Sequence, residues 1–163
     1  MQNTNVREKS KVSVFWFRRD FRLNDNAGLF EALQSSNAVV PLFIFDTEIL
    51  EKLPSNEDKR VVFIHKAICK LQNELLKVGS SMLVIHGNPV NVFENLHHTY
   101  TITSVFANVD YEPEAIARDT KILNLLQSKG IAFKLIKDQV VFEKSEIVKD
   151  DGSPFKIFTP YAK

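Results

Sequence analysis

Val12-Ser13-Val14-Phe15-Trp16-Phe17-Arg18-Arg19-Asp20-Phe21-Arg22-Leu23-Asn24-Asp25-Asn26 is the stretch on which the fold turns. Its opening run, Val12 to Phe17, is β-branched or aromatic at every position but Ser13, which is strand composition. Apolar residues stand at both odd and even positions, so both faces of this strand are expected to be covered, as in a parallel sheet. The arginines and aspartates that follow are interleaved with Phe21 and Leu23. Two readings of them stand. One is a salt-bridged loop with Asp25 as a helix cap. The other is a ligand-side or interdomain loop in which arginine forks hold a partner in fixed geometry.

Outward from this stretch the pattern repeats. Short apolar runs at 38–45, 82–86, 104–107 and 131–136 read as four more strands. Between them lie helical periodicities. From Arg60, the positions Val61, Ile64, Ile68, Leu71, Leu75 and Val78 make one face of a helix, and Gly79 ends it. Pro113 opens another helix with an apolar face of Ile116, Leu123 and Leu126, closed by Gly130. Asp25 or Asn26 caps a shorter helix through Leu29, Phe30 and Leu33, and Pro89 starts one through Val92, Phe93 and Leu96. Strands alternating with helices predict an α/β fold: three layers around a doubly wound, five-stranded parallel sheet of order 3-2-1-4-5. In such sheets ligands bind beyond the carboxyl ends of the strands. That directs attention to 18–26, 46–60, 86–89 and 108–112.

The expected organisation is a polar tail over 1–11, the α/β domain over 12–137 and an extension over 138–163. The extension lacks periodicity, contains the turn Asp151-Gly152-Ser153-Pro154, and ends on Phe158-Thr159-Pro160-Tyr161, which reads as a linker. A chain of 163 residues with 44% hydrophobic and 25% charged residues is globular in composition. At this size, burial of roughly 68–70% of the unfolded surface makes a disulfide or metal staple unnecessary. Cys69 is the only cysteine, which excludes an internal disulfide and a multi-cysteine zinc site. The formal charge of +1 advertises neither nucleic acid nor an anionic membrane. No apolar run approaches a membrane span and the first residues do not resemble a signal peptide, so a cytoplasmic monomer is expected. Phenylalanine is in excess, thirteen against one Trp and three Tyr.

The inventory of chemistry is thin. The chain contains no GxGxxG, GxxxxGK[ST], nucleophile elbow or HExxH. His65, His97 and His98 read as surface or helix-flank residues, His86 as a strand-end histidine, and Cys69 as packed in or beside its helix. No catalytic constellation and no metal site emerges from the residues alone.

The motifs nevertheless fit together in order. Trp16-Phe17-Arg18-Arg19-Asp20 with Leu23 and Asp25-Asn26 resembles the opening signature of the DNA photolyase/cryptochrome family. The segments Val40-Pro41-Leu42-Phe43-Ile44-Phe45-Asp46, Arg60-Val61-Val62-Phe63-Ile64 and Gly87-Asn88-Pro89 resemble its second strand, its long helix and the turn after its third strand. Asn108-Val109-Asp110-Tyr111-Glu112-Pro113 with Ala117-Arg118-Asp119 resembles a second signature, and 152–161 the passage out of the domain.

The resemblance implies the Rossmann-like N-terminal antenna domain of that family. It further implies an absent helical domain that binds FAD and damaged DNA, so no catalytic residue is expected here. A chromophore in the antenna domain (methenyltetrahydrofolate, an 8-hydroxy-5-deazaflavin or a flavin) would pass excitation to FAD for splitting of pyrimidine dimers. The chain alone is expected to carry none, because the second domain helps close the site. The resemblance, with the strand-end rule, nominates Glu112, Asn108, Asp110, Arg60, Phe17, Phe45 and Asp46 for the chromophore. All but Asp46 have a plain alternative: a helix cap for Glu112, a strand-end turn for Asn108 and Asp110, a surface position for Arg60, core packing for Phe17 and Phe45, as for Phe43 beside them. Arg18, Arg19, Asp20, Arg22 and Asp25 are assigned to interdomain or structural roles. A cryptochrome-type photoreceptor and a stand-alone nucleotide-binding module are the competing readings.

Overall fold

The computed structural model describes residues 9–158 except 36, 56 and 144. Most of the predicted tail and the Thr159-Pro160-Tyr161 part of the linker therefore lie outside the described residues. The elements run β1 (Lys11–Phe17), α1 (Ala27–Leu33), β2 (Ala38–Asp46), α2 (Thr47–Leu50), α3 (Lys59–Lys77), β3 (Leu83–Gly87), α4 (Pro89–Thr99), β4 (Thr101–Asn108), α5 (Pro113–Ser128) and β5 (Ala132–Ile136). All strand pairs are parallel, in the order β3-β2-β1-β4-β5. The predicted fold class and strand order are those observed.

The alternation in β1 builds two cores. Val12, Val14 and Trp16 face one side, where Val92, Phe93 and Leu96 of α4 and Ile122 and Leu126 of α5 cover the sheet. Phe15 and Phe17 face the other, against Leu29 and Ala32 of α1 and Ile68, Leu71 and Leu75 of α3. This second layer absorbs much of the phenylalanine excess: Phe15, Phe17, Phe43 and Phe106 are buried there, with Phe21 and Phe45 packed against them. Burying one such side chain contributes about 1.5–3 kcal/mol. Ser13, on the same side, is satisfied by the hydroxyls of Ser35 and Ser104, each at 3.0 Å.

Gly79 and Gly130 end α3 and α5 as expected, at φ 74° and 70°. The amides of Ser80 and Ile131 then reach back to the carbonyls of Leu75 and Leu126, both at 2.9 Å. Asn26, not Asp25, caps α1.

Several expectations are corrected. The apolar face of α5 is not Ile116-Leu123-Leu126. Ile116 and Leu123 are exposed, and the buried stripe is Ala115, Asp119, Ile122 and Leu126. That stripe keeps helical spacing but contains an aspartate, which hides it from a hydrophobicity reading. Val78 is exposed because it is the C-cap of α3 rather than part of its buried face. Cys69 is exposed on the outer flank of α3, beside His65, rather than packed. Strand β4 begins at Thr101 rather than Ser104, and α2 was not anticipated. The start of the extension is tied to the domain. Asp138 accepts a two-pronged hydrogen bond from Arg22 and another from the Ala27 amide, and Tyr111 donates to Glu143 at 2.6 Å. Among the described residues no helix is long and apolar enough to cross a membrane.

Candidate functional site

The loop after β1 is locked before it reaches any ligand. The Arg18 amide donates to Asp20 Oδ1 at 2.8 Å, turning the chain. Asn26 Oδ1 accepts from the Leu29 amide and so starts α1. At the end of β4, Asn108 completes the lock. Its Nδ2 donates to Asp20 Oδ2 at 2.5 Å and to Asn26 Oδ1 at 2.9 Å, while its Oδ1 accepts from the Gly28 amide at 2.8 Å. Asn108 thus spends its side chain on buried partners.

Beyond these strand ends lies a cavity of about 380 Å³. Its apolar walls come from Trp16 and Phe17 at the end of β1, Phe43 and Phe45 of β2, Ile49 and Leu50 of α2, and Ile64 of α3. The rings meet at angles: Phe43 stands edge-on to Phe45 with centroids 5.0 Å apart. Polar groups enter from β2, from the β4–α5 connection and from α5: Asp46, Asp110, Glu112 and Arg118, with Arg18 and Arg19 opposite. This is the size and lining of a small-molecule site, apolar walls with a few convergent polar groups.

Asp46 caps α2 by accepting from the Glu48 amide at 2.9 Å. Burial pushes its carboxyl above the usual value, against the opposing pull of that hydrogen bond. Glu112 sits at the N-cap position of α5 but makes no side-chain cap bond; its carboxylate lies 3.7 Å from Arg19. Arg19 also reaches Asp110 at 3.3 Å. The Arg18 guanidinium is buried and donates through Nη1 to Asp119 Oδ2 at 2.7 Å. Burial lowers its pKa and Asp119 opposes that shift.

Of the residues nominated from sequence, Phe17, Phe45, Asp46, Asp110 and Glu112 line the cavity. Asn108 does not, and neither does Arg60. Arg60 is exposed and forks onto Asp58, the cap of its own helix, at 2.7 and 2.9 Å. Arg18 and Arg19, assigned to interdomain or structural roles, are wall residues, while Asp20, Arg22 and Asp25 belong to the locked loop. Arg118 was missed as a site residue. The Ala117-Arg118-Asp119 motif was its signal, obscured by the misplaced phase of α5. Among the described residues, no three His, Cys, Asp or Glu side chains gather to hold a metal.

Comparison with known proteins identifies the family. A family model described as DNA photolyase matches residues 13–163. The deoxyribodipyrimidine photo-lyase of Synechococcus sp. (strain ATCC 27144 / PCC 6301 / SAUG 1402/1) is 30% identical over 150 residues, 92% of this chain and 31% of that one. An archaeal photolyase of Sulfolobus tokodaii, solved with two FAD molecules, superposes with a TM-score of 0.77 at 34% identity, covering 85% of this chain and 32% of that one. Cryptochrome-1 of Aedes aegypti is 29% identical over 147 residues, 86% of this chain and 27% of its own length. The chain thus spans about a third of the length of such relatives. A doubly wound sheet with its cavity beyond β1, β2 and β4, and a family match that runs from β1 to the last residue, give one conclusion: the chain belongs to the DNA photolyase family, in the part that forms its N-terminal domain.

Proposed function

We propose that this domain is the light-harvesting part of a longer deoxyribodipyrimidine photolyase, and that the cavity beyond β1, β2 and β4 holds its antenna chromophore. The observation that carries the reading is the cavity itself: about 380 Å³, walled by Phe17, Phe43 and Phe45, with Asp46, Asp110, Glu112 and Arg19 at its polar side. Aromatic walls suit a ring system, and carboxylates suit its ring N–H groups. A flavin, an 8-hydroxy-5-deazaflavin and methenyltetrahydrofolate all have that chemistry. The flavin is favoured by the Sulfolobus tokodaii relative, whose structure holds two FAD molecules. The bound chromophore supplies absorption of near-UV or blue light. The chain's residues bind it, orient it and keep water from its face.

In the longer protein, excitation reaches FAD in a helical domain, which drives repair of pyrimidine dimers. Damaged DNA meets that domain, since the net charge of +1 here gives little to bind phosphates. The second reading, a cryptochrome-type photoreceptor, is kept by the similarity to cryptochrome-1 of Aedes aegypti. One experiment separates them: illumination of the full-length, FAD-reduced protein with DNA carrying cyclobutane dimers. The photolyase reading expects repair in light and none in darkness. Intact dimers after illumination would contradict it.

A further inference from the structure

We propose that Arg18 and Arg118 make Trp16 a non-quenching wall of the chromophore cavity, by stacking positive charge on its indole and so opposing loss of an electron from that ring. The inference rests on the antenna reading. Trp16 is the only tryptophan of the chain, and it is buried at the cavity wall. The described wall contains no Tyr, Met, Cys or His, so Trp16 is its one readily oxidised side chain. An indole near an excited ring system donates to it. One electron leaves the indole, the excited ring accepts it, no bond is made or broken, and the excitation is spent before it can be passed on. A light-harvesting site has to suppress that loss.

The geometry supplies the means. Arg18 Cζ lies 4.4 Å from the indole centroid and Arg118 Cζ 5.0 Å. A cation is attracted to the neutral ring but repels the radical cation that electron loss would leave. The two guanidinium groups share one carboxylate: Asp119 lies 2.7 Å from Arg18 and 3.5 Å from Arg118. Asp110 is engaged by Arg19. Two guanidinium groups thus face the ring with the Asp119 carboxylate as their shared partner. The Nε and Nη2 atoms of both arginines are out of solvent and have no hydrogen-bond acceptor. Such orphaned donors cost stability, and their dry surroundings leave the charge poorly screened.

The test tethers a flavin at the cavity, so that affinity does not enter. Ile49, exposed on α2 and part of the wall, is changed (Ile49→Cys in a Cys69→Ser background) and coupled to a thiol-reactive flavin. Emission lifetimes are then compared. The parent is expected to match Trp16→Phe. Arg118→Leu is expected to shorten the lifetime severalfold, and adding Trp16→Phe to restore it. Arg118→Gln carries the same expectation should the leucine variant fail to fold. An unchanged lifetime in the Arg118 variants would overturn the proposal, as would a parent lifetime that Trp16→Phe lengthens severalfold. Titration with free riboflavin 5′-phosphate is read separately and bears on the antenna reading instead.

Discussion

Arg18 Nη1 meets Asp119 Oδ2 at 2.7 Å, joining the end of β1 to the second turn of α5 across 101 residues of chain. Both side chains are buried, so the attraction is weakly screened, and Asp119 also lies 3.5 Å from Arg118. Removing one partner of a buried pair costs about 3–5 kcal/mol, because the other charge is left uncompensated. Asp119→Ala is therefore expected to lose that much in urea unfolding. The triple variant Arg18→Met/Arg118→Met/Asp119→Leu, which leaves neither arginine without its carboxylate, should recover a substantial part of it. A triple variant no more stable than the single one would refute the pairing argument.

Gly28 offers a test in which two rules conflict. It lies in the first turn of α1, where alanine normally stabilises a helix by about 1 kcal/mol over glycine. Here a Cβ would collide with Asn108 Oδ1 and come within 2.9 Å of the Phe15 ring. Overpacking of this kind costs about 1–3 kcal/mol. Gly28→Ala is thus expected to lower the melting temperature, and a raised one would show the Asn108 lock to be loose.

The five strands could be read because β1 carries Val14 and Trp16 to one core and Phe15 and Phe17 to the other, leaving a continuous apolar run. The long helix showed through Ile68, Leu71 and Leu75. What stayed hidden was polar or short. Asp119 interrupts the buried stripe of α5, and its partner Arg18 stands 101 residues away, so periodicity placed Ile116 and Leu123 inside. Helix α2 has four residues and rests on the Asp46 cap, too short for a period to appear. That Asp46, Asp110 and Glu112 line the cavity was legible from the strand-end rule and the family signature together. Arg60 was not separable from them, since its fork onto Asp58 is local geometry.

Asp46 gives a pH dependence with a definite sign. Its folded pKa is raised by burial, so the folded state binds more protons than the unfolded one once pH exceeds the unfolded value. Stability contributed at this site therefore falls as pH rises from the ordinary aspartate range through the raised value. Asp46→Asn keeps a capping oxygen but removes the charge. At neutral pH it is expected to melt no lower than the parent, with any advantage vanishing in acid below the ordinary aspartate range. A melting temperature that drops at neutral pH and not in acid would contradict this.

Asp58 has the opposite sign. The Arg60 side chain, followed by its amide, holds the carboxyl down to about 2. Its contribution is present above the ordinary aspartate pKa and is lost as pH falls through about 2. Arg60→Ala should return the Asp58 titration, followed by NMR, toward the usual carboxylate range while leaving chromophore binding unchanged. A loss of binding in that variant would return Arg60 to the site.

The central claim is that the cavity beyond β1, β2 and β4 holds a light-harvesting chromophore. The most direct measurement is the action spectrum of dimer repair by the full-length protein loaded with FAD and chromophore, compared with Ile49→Phe/Ile64→Phe, which narrows the cavity from two walls without adding an indole. The account predicts an antenna band beyond the absorption of FAD, weakened or lost in the variant while repair driven by FAD alone persists. A band unchanged in the narrowed cavity would place the chromophore elsewhere and contradict the account.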